Sequence, residues 1–228
     1  NLFNNSNVFS TIRYTKTIDQ VNNNVIFQPG SVVSNSSSIN SPLDNENLTA
    51  ILSAGKTFGK IQTRIGGNYN YSKTYQFFNR AENTNINNNY GVNARIGTNF
   101  RKAPNVSLRY AVNFSNQENT ARPEIFKSVN HRPSINFDAY IKQSITLTSD
   151  FSYTNQRQNG VTTNTFSIWN AKLAYRKDKD AKLEYEVVGN NLLATGSEAS
   201  VSQNLNAFTL NERFILPRFI SFRIRYQL

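Results

Sequence analysis

Cysteine and methionine are both missing from this chain, and histidine and tryptophan occur once each. Without cysteine there is no disulfide framework, no thiolate nucleophile and no sulfur-ligated metal site. A lone histidine leaves no transition-metal cluster, and the acidic pairs Asp44/Glu46 and Asp178/Asp180 are too sparse for a calcium loop. No run of about 18 apolar residues occurs, so no membrane-spanning helix is encoded, and no N-terminal stretch reads as a signal peptide. The first residue is Asn1, which predicts a processed or excised piece of a longer chain.

What is present is aromatic and polar. Only 38% of the 228 residues are hydrophobic and mean hydropathy is negative, so no large aliphatic core is encoded. The 11 Tyr and 16 Phe stand among many Asn, Ser and Thr, a composition that favours strands over helices.

Alternation with period two runs through the chain. In the terminal RFISFRIRYQL, Ile220, Phe222, Ile224, Tyr226 and Leu228 share one face, and Ser221, Arg223, Arg225 and Gln227 the other. KIQTRIGGNYNYSKTY sets Ile61, Ile65, Tyr69 and Tyr71 against Gln62, Arg64, Asn68 and Asn70. Val92, Ile96, Leu108, Tyr110, Ile135, Phe137, Leu147, Phe151, Trp169, Leu173, Tyr185 and Val187 continue the pattern, with weaker strands near 8–14 and 48–58. About ten strands are expected. Gly66-Gly67 falls inside one of them and marks a bend or a close approach.

The connections alternate in length. Short turns rich in Gly, Pro, Asp and Lys are expected at 57–60, 101–105, 142–144 and 177–180, and long polar loops at 17–45, 79–87, 116–131, 156–162 and 190–203. This is the rhythm of an antiparallel up-and-down meander with its long loops on one side, the asymmetry of outer-membrane barrels. A soluble barrel would also alternate, but it needs only about eight strands around a compact interior. Many strands here reach the roughly ten residues that cross a tilted bilayer path. Aromatic residues near strand ends form two expected girdles: Phe58, Phe100, Tyr175 and Tyr226 toward the short turns, Tyr14, Tyr75, Phe114 and Tyr153 toward the long loops. The expected fold is an all-β, antiparallel, up-and-down transmembrane β-barrel segment covering residues 1–228. Its expected location is the bacterial outer membrane, with the long loops extracellular.

NTFSIWNAKLAYRKDKDAKLEYEVVGNNLLATG and the final strand resemble the C-terminal end of TonB-dependent outer-membrane receptors, particularly the outer-membrane β-barrel proteins of Bacteroidetes. Tyr175, the charged turn at 177–180, Asn191-Leu192-Leu193 and Pro217-Arg218 fill the places of that family's elements, and the resemblance is best over 164–228. It implies a barrel of about 22 strands around an N-terminal plug, of which this chain would supply the C-terminal part. It also implies uptake of a nutrient or siderophore-type ligand. The implied partners are outer-membrane lipid and lipopolysaccharide, the barrel insertion machinery, the rest of the barrel and plug, and an energy-coupling protein or surface lipoprotein. Phe222, Ile224, Tyr226 and Leu228 resemble a C-terminal insertion signal, with Leu228 where an aromatic residue usually stands. A structural or interaction barrel (an adhesin, a secretion-associated component or a scaffold) is the other functional class left open.

A formal charge of +11 raises nucleic acid as a partner, but the cations are spread one or two per strand instead of forming a patch. They suit lipopolysaccharide phosphates, anionic solutes or ion pairs in the lumen wall. Lys172, Glu184, Glu186, Arg223 and Arg225 fall at similar heights on the polar faces of neighbouring strands and are expected to form a lumen-facing charge cluster. Enzyme chemistry is not indicated: His131 sits in HRP at an expected loop-to-strand junction without an adjacent Asp, and reads as a surface histidine. No cofactor is expected.

Overall fold

The computed structural model describes residues 5–27, 34–101, 104–120, 122–141, 144–178, 180–204 and 207–226. Its elements are all strands: β1 (Ser6–Thr17), β2 (Val21–Phe27), β3 (Ser34–Asn40), β4 (Asn45–Phe58), β5 (Ile61–Phe78), β6 (Ala81–Thr98), β7 (Asn105–Asn119), β8 (Arg122–Ile141), β9 (Ile145–Gln158), β10 (Val161–Arg176), β11 (Leu183–Asn190), β12 (Ser197–Asn204), β13 (Ala207–Phe214) and β14 (Phe219–Tyr226). Ten of them form the expected meander, in the order β1-β4-β5-β6-β7-β8-β9-β10-β11-β14. The other four are two hairpins. β2–β3 joins the main sheet through a short parallel contact with β5, giving it 12 strands, and β12–β13 forms a separate two-stranded sheet.

The register carries most of the apolar residues of the ten meander strands onto one face. One hydrogen-bonded row reads Thr63, Ile96, Leu108, Ile135, Phe151, Trp169 across β5 to β10. Another reads Ala139, Leu147, Leu173, Val187, Phe222 across β8 to β14. Val8, Ile12 and Tyr14 extend this face onto β1, opposite Ala54, Ala50 and Leu48. Tyr14, Phe58, Tyr75, Phe114, Tyr153, Tyr175 and Tyr226 all belong to it, whereas Phe100 follows the end of β6. Among the described residues no second layer covers it. Ile12, Ile220 and Phe222 are 76%, 71% and 63% exposed, while among the described residues the buried apolar side chains are Phe126, Ala139 and Ala174.

The opposite face is polar and crowded. A Cβ on Gly91 would collide with the side chains of Asn113 and Asn68, and one on Gly66 would press on Asn93 at 3.1 Å; Gly67, which points to the apolar face, has room. Polar side chains of adjoining strands thus lean across these glycines, which accounts for the glycine at Gly66 as a close approach.

The rows also drift relative to the turns. The row through Thr63 and Ile135 passes two residues from the last β4–β5 pair, Phe58–Ile61, but six residues from the last β8–β9 pair, Ile141–Ile145. Such stagger is what inclined strands require if a sheet is to curl toward closure. Among the described residues the sheet is nevertheless open: β1 pairs with β4 alone and β14 with β11 alone.

The long polar loops expected from the sequence are corrected by the structure. Stretches 79–87, 116–131 and 156–162 lie largely within paired ladders, so β5, β6, β7 and β8 run 15 to 20 residues. Asn79-Arg80 and Asn159-Gly160 have positive φ at both positions, the two-residue turn whose twist suits a hairpin. Stretches 17–45 and 190–203 contain β2–β3 and β12. Backbone ladders need no apolar side chain, and here amide side chains supply the cohesion. Arg80 N donates to Asn24 Oδ1 (3.2 Å), Tyr75 N to Asn45 Oδ1 (3.0 Å), and Thr120 Oγ1 to Asn83 Oδ1 (2.8 Å), with Asn22, Asn24 and Asn83 buried. The expected short turn at 57–60 is present at Gly59-Lys60, whereas 101–105, 142–144 and 177–180 lie partly outside the described residues.

Candidate functional site

The charge cluster forms where β10, β11 and β14 meet. Alternation in LEYEVV puts Glu184 and Glu186 on the polar face, and the register sets Arg176 and Arg225 on either side of Glu184, and Ala174 and Arg223 on either side of Glu186. The small Ala174 leaves space into which longer neighbours reach. Lys172 Nζ lies 3.5 Å from Glu186 Oε1, and Arg225 Nη2 lies 3.2 Å from Glu186 Oε2 while its Nη1 is 3.9 Å from Glu184 Oε1. Arg176 Nη2 donates to Glu184 Oε2 at 2.6 Å.

Four of the five residues named from the sequence are therefore brought together. Arg223 stands opposite Glu186 in the ladder, yet among the described residues it makes no ion pair. Arg176 completes the cluster and was not singled out. Its signal was parity with Lys172 and a place just before the turn that returns to Glu184.

Burial is uneven within this group. The Glu186 side chain is fully buried, whereas those of Lys172, Arg176 and Arg225 are 38%, 36% and 59% exposed. Both Glu186 oxygens lack an aligned hydrogen bond, so their partners hold them by charge alone. With four cations around two carboxylates, the patch keeps a positive surplus on the polar face.

Beside it, Asn191 builds a clasp. Its backbone adopts φ 47°, and its own N–H donates to Asn170 Oδ1 (2.9 Å), whose amide in turn donates to Asp150 Oδ2 (2.8 Å). Asn191 Oδ1 accepts from Thr195 N (2.9 Å), and Nδ2 donates to the carbonyls of Thr195 (2.7 Å) and Leu216 (3.1 Å). Asn tolerates the left-handed backbone and its amide satisfies three backbone groups at once. Leu192 folds onto Gly189, where a Cβ would lie 2.7 Å from it.

Of the resembled insertion signal, Phe222, Ile224 and Tyr226 lie together on the exposed apolar face, with Phe222 stacked on Tyr185 at 6.3 Å; Leu228 falls outside the described residues. His131 is not at a loop junction. It lies within β8 opposite Val112 and Asn155, and its Nδ1 shares a 2.6 Å hydrogen bond with the Tyr110 hydroxyl.

Comparison with protein-family models and with curated proteins found no match to this chain.

Proposed function

We infer that this sheet is part of the wall of a bacterial outer-membrane barrel, and that the protein works as a receptor for uptake of a scarce solute. The carrying observation is the apolar face that continues in register over ten strands with, among the described residues, no layer covering it. Soluble monomers rarely expose contiguous apolar patches beyond a few hundred Å². Hydrocarbon is a cover that fits a face of this extent, and the stagger and open edges suit a wall closed by further strands, since an unpaired edge in lipid costs several kcal/mol per unsatisfied group. Receptor-type uptake draws its support from the family resemblance of residues 164–228 and from the cationic polar face, which would line the lumen and attract anionic solutes.

Nitroxide labels on the full-length protein in native outer membrane test the wall. Labels at Phe222 and Ile224 are expected to be quenched by oxygen, and labels at Arg223 and Arg225 by a water-soluble nickel chelate. Equal quenching at both sets would remove the membrane reading. Uptake is tested by growth of a strain lacking the gene on a panel of scarce nutrients. A defect that the gene repairs only when the energy-coupling protein is present supports the receptor. A repaired defect that ignores that protein would favour the interaction barrel, to which the Asn-rich hairpins rising beyond the apolar zone are suited.

A further inference from the structure

The apolar face has a depression in it. Where β6, β7 and β8 cross it, Ala94 and Pro133 flank Tyr110 in one row and Ile96, Leu108, Ile135 and Phe151 fill the next, leaving a groove of about 480 Å³. An alanine and a proline among large neighbours create this furrow.

Followed along β8 and β9 toward the long hairpins, the same face becomes cationic. His131, two residues beyond Pro133, is tied to Tyr110 at the rim of the groove. Arg157 on β9 stands opposite Val129, and Lys127 is two residues further along β8. Lys127 and Arg157 are both exposed, and among the described residues neither makes an ion pair. Arg157 Nε reaches Thr162 Oγ1 at 3.5 Å, and the side chain remains exposed. Glu118, on β7 of the same face, forms no ion pair with Lys127. Six residues separate Val129 from Ile135, a span of roughly 20 Å.

We propose that Lys127, Arg157 and His131, with the groove lined by Ala94, Pro133, Leu108 and Ile135, bind one phosphorylated lipid of the outer leaflet, the lipid A part of lipopolysaccharide. Lys127 and Arg157 take its phosphates, His131 stands between them and the groove, and the furrow takes an acyl chain. Unpaired cations placed just beyond an apolar zone complement a phosphate headgroup, whereas neutral lipid would leave them without counter-charge. The inference rests on the membrane reading, which puts this end of the wall at the outer leaflet, where lipid A is the phosphate-bearing lipid.

The test uses intact full-length protein in phosphatidylcholine nanodiscs, with insertion verified by heat-modifiable migration on gels. Bisphosphorylated lipid A, its dephosphorylated form and phosphatidylglycerol are titrated and bound lipid is counted by native mass spectrometry. The double variant K127Q/R157Q is expected to lose at least about tenfold in lipid A affinity, while R13Q/R64Q on the opposite face, away from the groove, keeps it. A94L, which fills the furrow without touching a charge, should also weaken binding, and dephosphorylated lipid A should bind the wild type as weakly as bisphosphorylated lipid A binds the double variant. Unchanged binding by K127Q/R157Q, equal loss in R13Q/R64Q, or equally tight phosphatidylglycerol would each overturn the site while leaving an inserted barrel intact. Failure to insert would overturn both readings.

Discussion

Glu186 faces Arg223 across the β11–β14 ladder, but its carboxylate is held diagonally by Arg225, at 3.2 Å. Diagonal neighbours lie within reach of long side chains, and Arg225 uses that reach to touch both carboxylates of β11.

This asymmetry predicts unequal variants. R225A leaves a fully buried carboxylate with Lys172 alone, and should cost about 1–3 kcal/mol in urea unfolding from vesicles. R223A removes an exposed guanidinium with no ion pair, and should stay within about 0.5 kcal/mol. Equal losses would show that ladder position, not the diagonal contact, governs the cluster.

Asn191 offers a second prediction. N191A removes three side-chain hydrogen bonds from a buried position and leaves a Cβ at φ 47°, so a loss of about 2–4 kcal/mol is expected. N191G lacks the same bonds but accepts the backbone freely, and should recover about 1 kcal/mol of that loss. Limited proteolysis at 215–218 should be faster in both, because the Leu216 carbonyl is released from the clasp.

The two faces predict a third contrast. L147R puts a charge on the apolar face and should cost about 2–4 kcal/mol in a bilayer, whereas T148R, beside it on the polar face, should be nearly neutral. Matching unfolding midpoints for the two proteins would contradict a lipid-covered face.

Strands whose faces differ in polarity were legible residue by residue. Leu183, Tyr185 and Val187 against Glu184 and Glu186 announce both the strand and the orientation found. Segments polar on both faces were not. In AENTNINNNY nothing alternates, so the start of β6 reads as loop although its backbone is fully paired with β5. Asn159-Gly160 is a hairpin signal in plain view, but Asn79-Arg80 is not, because arginine rarely takes a left-handed backbone. In the cluster, strand height brought Lys172 and the two glutamates together correctly. It could not tell which arginine reaches which carboxylate, since that depends on the rotamers of long side chains. The hub role of Asn191 depends on contacts with Thr195 and Leu216, the latter 25 residues away, that no local pattern encodes.

The clasp has a consequence for how this molecule can vary. Asn191 draws Leu216 to itself across the whole 197–214 hairpin, so the base of that insertion is fastened before its first strand begins. β11 and β14 then adjoin as though the segment between them were absent. The hairpin is an exchangeable cassette. Its length and composition can change while the scaffold that carries it keeps its register.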